Sequence, residues 1–159
     1  MKTILILSIL FFSFSYGFSQ KPLHRYYNSK MKKHYYTADF NEYGSGRNGW
    51  TYEGITCRVF GRENRDAPGV VPIYRFINTQ TGDHYYTTQR HVPGRNLDGY
   101  VYEGAAGFIY KFRVPGTIPL FEYYSPSAGD HFYTADKNEL GPGFEGYTFD
   151  TVVGYVFRK

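Results

Sequence analysis

Three histidines stand at matching places in this chain, in His34-Tyr35-Tyr36-Thr37, His84-Tyr85-Tyr86-Thr87 and His131-Phe132-Tyr133-Thr134. Two of them follow an aspartate, as Asp83-His84 and Asp130-His131, while the first follows Lys33. On a strand, the phenol two residues beyond each histidine shares its face, so acceptor, donor and ring come together. That is chemistry for holding a sugar. Asp83 and Asp130 would accept hydrogen bonds from hydroxyls, His84 and His131 would orient them, and Tyr86 and Tyr133 would stack on the ring. These six are the candidate ligand-binding residues. The same recurrence suits a scaffold, in which each histidine locks a hairpin by bonding to backbone. His34 persists where the acid is gone, which favours the scaffold for histidine and leaves the aspartates as site markers. The intervening Tyr35, Tyr85 and Phe132 face the other way. Phe132, lacking a hydroxyl, nominates that set for the deeper position.

Other reactive types are weaker candidates. Glu53, Glu103 and Asp150 occupy equivalent places, but a glycosidase needs two carboxyl groups at a fixed separation, and equivalent acids in different copies lie far apart. A solvated acid, or a clamp on a neighbour such as Arg75, is the favoured reading. No catalytic residue and no cofactor are therefore expected. Gly44-Ser45-Gly46-Arg47-Asn48-Gly49 matches a dinucleotide-binding glycine pattern, yet it opens onto the strand-like Trp50-Thr51-Tyr52 and lacks the strand-turn-helix setting. Cys57 is the one cysteine and sits in an apolar stretch, so it reads as a packed thiol. No cysteine or histidine spacing suits a metal.

The elements that must position these groups follow from an internal repeat. Pro22-Leu23-His24-Arg25-Tyr26-Tyr27-Asn28 realigns with Pro72-Ile73-Tyr74-Arg75-Phe76-Ile77-Asn78 and with Pro119-Leu120-Phe121-Glu122-Tyr123-Tyr124-Ser125. The histidine segments follow, then Gly49-Trp50, Gly99-Tyr100 and Gly146-Tyr147, and each copy closes on an aromatic strand at Phe60, Tyr110 or Phe157. The repeats span 22–60, 72–110 and 119–157 without internal gaps. In the second copy the pattern predicts strands at Ile73 to Asn78, His84 to Thr88, Tyr100 to Gly104 and Ala106 to Tyr110, with a glycine-bearing hairpin turn between the first two. Asp39 to Glu42 and Asp136 to Glu139 have capping-box spacing, which predicts a helical turn in the first and third copies. Gln89 and Val92 break that pattern in the second. Four strands in each of three copies, about twelve short strands in all, predict an all-β chain folded as a β-trefoil with pseudo-threefold symmetry. A single repeat cannot bury its own apolar face, so the three must share one core.

Composition agrees with an all-β chain and excludes other classes. From residue 20 onward there are four leucines against seventeen tyrosines, a balance that suits pleated sheet and disfavours a helix bundle. Residues 1–19 carry a basic start, an apolar run from Ile4 to Phe14 and the small Gly17 and Ser19 at a cleavage site. They read as a secretory signal peptide, too short for a membrane span, leaving residues 20–159 as a single exported, extracellular domain with no membrane insertion. The net charge of +4 comes with Lys30, Lys32 and Lys33 in one turn and Arg58, Arg62 and Arg65 after the first copy. Bases among aromatics also suit single-stranded nucleic acid, but export argues against that partner.

The pattern Y-R-(F/Y)-x-N, G-D-H-(F/Y)-Y-T, G-(W/Y)-x-Y-E-G resembles the tyrosine-rich repeat catalogued as domain of unknown function 5648, over Pro22 to Phe157. The resemblance implies a secreted β-trefoil-like module, often appended to bacterial cell-wall hydrolases and other glycosidases and suspected of binding glycans. Lys32-Lys33 in the first copy, and Phe149-Asp150-Thr151 in the third, depart from the pattern. The expectation is a non-enzymatic, lectin-like protein whose partner is a cell-wall or other surface polysaccharide. The alternatives are a protein-binding trefoil, acting as inhibitor or effector, and an extracellular structural module.

Overall fold

A computed structural model of the chain describes residues 19–90 and 99–159. The expected signal peptide, apart from Ser19, and Val92 lie outside the described residues. The all-β expectation holds: ten strands form one sheet system, β1 (Gln20–Asn28), β2 (Lys33–Thr37), β3 (Thr51–Phe60), β4 (Val70–Asn78), β5 (His84–Thr87), β6 (Tyr100–Tyr110), β7 (Ile118–Ser125), β8 (Asp130–Thr134), β9 (Gly143–Phe144) and β10 (Tyr147–Val156). The first unit is β1 paired with β2 and β3, the second is β4 with β5 and β6, and the third is β7 with β8 and β10, all antiparallel. The long strands join the units: β3 meets β6 at Phe60 and Phe108, β6 meets β10 at Tyr110 and Tyr155, and Arg58 exchanges backbone hydrogen bonds of 2.9 and 3.0 Å with Phe157.

Ten strands rather than about twelve is a correction. The third and fourth strands expected in each copy are one continuous strand with an irregularity in register, between Arg25 and Tyr26 on β1 and between Arg75 and Phe76 on β4. Gly54 and Gly104 read as breaks in the sequence, but they take φ of 116° and 129° inside the strand and let it bulge without ending. Thr151 holds that place in β10.

Local chemistry closes the hairpins. The Asn78 side chain accepts from the N–H groups of Gln80 and Thr81, Asn28 accepts from Met31, and Ser125 accepts from Ala128. Gly82 and Gly129 then supply the positive φ the turn requires, and Lys32 adopts φ of 56° at that place in the first unit. The two helical turns also appear, at Phe40–Glu42 and as α1 (Lys137–Leu140), capped by Asp39 and Asp136. Their glutamates leave the capping box and reach arginines of neighbouring units instead.

The core sits where the three units meet. Leu23, Ile73 and Leu120 pack with Val59, Ile109 and Val156 around Tyr36, Tyr86 and Tyr133. The three phenol rings meet edge to face at 5.2 to 5.4 Å, each contact contributing about 0.5–1.5 kcal/mol beyond burial. Their hydroxyls are satisfied in a circle. Tyr36 accepts from the Tyr133 N–H at 2.8 Å, Tyr133 accepts from the Tyr86 N–H at 2.9 Å, and Tyr86 accepts from the Tyr36 N–H at 2.7 Å. Tyr86 also donates to the Tyr36 carbonyl oxygen. This corrects the expectation that Tyr35, Tyr85 and Phe132 lie deeper. Both sets are buried, but the phenols with backbone partners occupy the centre.

Candidate binding clefts between the hairpin units

The aspartates nominated from the sequence do not project from the hairpins. Asp83 is 1% exposed and Asp130 is 0% exposed. Each reaches into the next unit and clamps a histidine there. Asp130 accepts from the His34 N–H at 2.9 Å and pairs with His34 Nδ1 at 2.6 Å; Asp83 does the same for His131 at 3.0 and 2.6 Å. Tyr147 and Tyr100 donate their hydroxyls to the same carboxylates. Burial alone would raise the Asp83 pKa, but the hydrogen bond and charge of His131, with the Tyr100 hydroxyl, overrule it and hold the carboxyl below its ordinary value. His84, His131, Tyr86 and Tyr133 are buried too. All six nominated residues are therefore interior in this conformation. The pairs that the sequence places side by side, Asp83-His84 and Asp130-His131, point to opposite neighbours, and the partners are exchanged between units.

The clefts that do reach solvent lie further out, between adjacent units. One, between the first and second units, encloses about 870 Å³. Arg75 forms its floor: its guanidinium pairs with Glu103 through Nε at 3.0 Å and with Glu42 through Nη1 at 3.3 Å, and lies 4.8 Å above the Tyr35 ring. Burial opposes the Arg75 charge, yet Tyr86, Tyr35, Glu42 and Glu103 outweigh it and keep the group cationic. Glu42 titrates below its usual range: burial would raise it, but hydrogen bonding from Tyr35 and the charge of Arg75 win. Tyr74 and Tyr102 line one wall with their rings 5.9 Å apart, and Tyr102 is 46% exposed. Asp39, exposed, also lines this cleft.

A second cleft of about 520 Å³ lies between the third and first units. Arg25 repeats the arrangement, with Nε 2.8 Å from Glu53, Nη2 2.9 Å from Glu139, and the guanidinium 4.8 Å from the Phe132 ring. No aromatic side chain lines this cleft among the described residues. The third copy has Glu122 where the others have Arg25 and Arg75, so the same floor cannot form there.

Sequence reasoning found the Glu103–Arg75 clamp but missed the role of Glu42 and Glu139. Their signal was present as the capping-box spacing, which was assigned to local helix chemistry. Chemically, each floor offers carboxylate acceptors and spare guanidinium N–H donors at fixed positions. Only the larger cleft adds an exposed ring. Among the described residues no group of three or more histidines, cysteines or acids is placed to hold a metal ion, and no helix is long and apolar enough to cross a membrane.

An all-β chain of three hairpin units with two open clefts between them is the class these observations define. The family model described as Domain of unknown function (DUF5648) matches residues 22–157, and the chain belongs to that family. No curated protein and no solved structure matches it.

Proposed function

We propose that this protein is a secreted, non-enzymatic, carbohydrate-binding β-trefoil, and that it holds neutral sugar units in the cleft between its first and second units. The trefoil reading rests on the recurrence of the same pairings in all three units, including the three contacts between β3, β6 and β10. The export reading rests on the character of residues 1–19. The observation that carries the binding reading is the larger cleft itself: an exposed Tyr102 ring beside a fixed Glu42–Arg75–Glu103 floor. A pyranose presents an apolar face and a rim of hydroxyls, and this wall and floor match that pattern.

Charge favours a neutral ligand over an anionic polymer. Arg75 in the floor is already shared between Glu42 and Glu103, and the other bases of the cleft, Lys21, Arg62 and Arg65, are exposed rim groups, two of them beside carboxylates, Arg65 at 3.3 Å from Asp66 and Lys21 at 4.0 Å from Glu63. Catalysis is disfavoured by the same pairing. A glycosidase needs one carboxyl group that keeps its proton, and Glu42 and Glu103 are instead both paired with the Arg75 guanidinium.

A glycan array carrying neutral and acidic polysaccharide fragments tests the reading. The wild type is expected to bind neutral glycans. Tyr102→Ala and Glu103→Gln are expected to lose tenfold or more in affinity while remaining folded. Glycan binding undiminished by both changes moves the site elsewhere. No glycan bound, together with a protein captured from the extracellular fraction, favours the protein-binding alternative.

A further inference from the structure

The first strand of each unit starts, and its long strand finishes, at one end of the molecule. Gln20 lies opposite Phe60, Val70 opposite Tyr110 and Ile118 opposite Val156. The rings of Phe60, Tyr110 and Phe157 close that end in a triangle, with centroids 5.0 to 6.2 Å apart. The linkers 61–69 and 111–117 and the residues after β10 therefore share this end, away from the hairpin tips. The bases gather there. Lys21 opens β1, and Arg58 stands near the finish of β3. Arg62 and Arg65 lie in the first linker, Lys111 and Arg113 in the second, and Arg158 and Lys159 follow β10. These are eight of the chain's eighteen lysines and arginines, on segments that carry only Glu63 and Asp66 of its fourteen acids. The rest of the chain from residue 20 onward holds more acids than bases, so the positive excess sits at this end. Among the described residues its ion pairs are Lys21 with Glu63 and Arg65 with Asp66, which leaves Arg62, Lys111, Arg113, Arg158 and Lys159 exposed without a carboxylate.

Between two of these bases stands Phe112, at 69% the most exposed large hydrophobic side chain among the described residues. Its loop is fastened at both ends. The Lys111 N–H donates to the Gly69 carbonyl oxygen at 2.9 Å, which ties the second linker to the first. Thr117 is buried, donates its hydroxyl to the Val114 carbonyl oxygen at 2.6 Å and accepts from the Val114 N–H at 3.2 Å. The Lys111 ammonium lies 5.5 Å from the Phe112 ring centroid. A phenyl ring held out in water within a field of bases asks for a partner that is both anionic and apolar. We propose that this end docks on an anionic lipid surface, with the bases against headgroup phosphates and the Phe112 ring at the acyl boundary, without spanning the bilayer. A hydrated polyanion satisfies the bases and leaves the ring in water, whereas a membrane supplies a plane of negative charge with hydrocarbon just beneath it. Lys21, Arg62 and Arg65 also rim the larger cleft, so docking sets that cleft beside the membrane. The proposal does not rest on the sugar reading.

The test is co-sedimentation of the protein with vesicles of equal parts phosphatidylglycerol and phosphatidylcholine, and with vesicles of phosphatidylcholine alone. The wild type is expected to partition onto the anionic vesicles at least about tenfold more strongly than onto the neutral ones. Raising salt from about 0.1 M to about 1 M shortens the screening length about threefold and should release it. Lys111→Gln with Arg113→Gln should weaken partitioning about 25-fold, at about fivefold for each base, and Phe112→Ser by about tenfold. All three side chains are exposed, so the unfolding midpoints of these variants should match the wild type. Phe112→Trp adds an exposed indole to a chain whose Trp50 is buried, and its emission should move to the blue with anionic vesicles only. Wild-type protein that stays in solution with anionic vesicles at about 0.1 M salt overturns the proposal. So does a Phe112→Ser protein that partitions as strongly as the wild type. Dextran sulfate held as tightly as the vesicles, with Phe112→Ser unchanged on both, assigns this end to a soluble polyanion instead.

Discussion

Replacing Asp83 by alanine separates a clamp from a ligand contact. The carboxylate receives three hydrogen bonds, from the His131 N–H at 3.0 Å, from His131 Nδ1 at 2.6 Å and from the Tyr100 hydroxyl at 2.5 Å. Asp83 is 1% exposed, so water cannot replace them without opening the junction. Hydrogen bonds to a charged group are worth about 1.5–3 kcal/mol each, but these share one acceptor and do not simply add. Removing one partner of a buried charge pair costs about 3–5 kcal/mol, and about 4 kcal/mol is the expected loss. Against a total stability of roughly 5–15 kcal/mol, that is a large fraction. In urea unfolding followed by tyrosine and tryptophan fluorescence, the midpoint should fall with an unchanged slope, and heating should lower Tm by about 10 °C. Asp83→Asn keeps the shape and one acceptor oxygen, so it should lose about half as much. Sugar binding by the folded fraction should be unchanged. An Asp83→Ala protein within about 1 kcal/mol of the wild type refutes the clamp.

Tyr36→Phe removes the acceptor of the Tyr133 N–H and should cost about 1–3 kcal/mol, measured by the same unfolding curves, with the ring packing retained. Burial, with the charge of Arg75, lowers the His84 pKa from 6.5 to about 4. The unfolded chain therefore takes up this proton first, so the contribution is intact above about pH 6.5 and is lost progressively as pH falls toward 4, by about 3 kcal/mol in all. Unfolding between pH 7 and 4 should show this slope, and His84→Gln should flatten it. Burial pushes the Cys57 thiol above its usual range, so a thiol reagent should label the native protein only at the rate of unfolding.

Much of the architecture was legible because each unit repeats its chemistry in the open. Pro22, Pro72 and Pro119, the histidine segments and the closing aromatics gave the strand set and its hairpins. The bulges were not legible, because a glycine such as Gly54 reads the same whether it ends a strand or bends one. The site was misread for a related reason. Asp83 and His84 are adjacent in the chain, and adjacency suggested a joint task, whereas alternate strand faces send them to different neighbours. Arg75, Glu42 and Glu103 come from three separate stretches, so only the assembled units bring them under Tyr102. The departure at Lys33 read as a lost site. In the structure Lys33 is buried and its ammonium donates to the Ala128 carbonyl oxygen of the third unit.

The binding account is tested most directly by mapping chemical-shift changes in the labelled protein as a neutral oligosaccharide found on the array is added. The account predicts saturable changes at Tyr102, Tyr74 and the Arg75 Nε–H, with the Asp83 and Asp130 junctions unmoved. Changes centred on the hairpin tips or the third unit, with the Tyr102 cleft silent, contradict it.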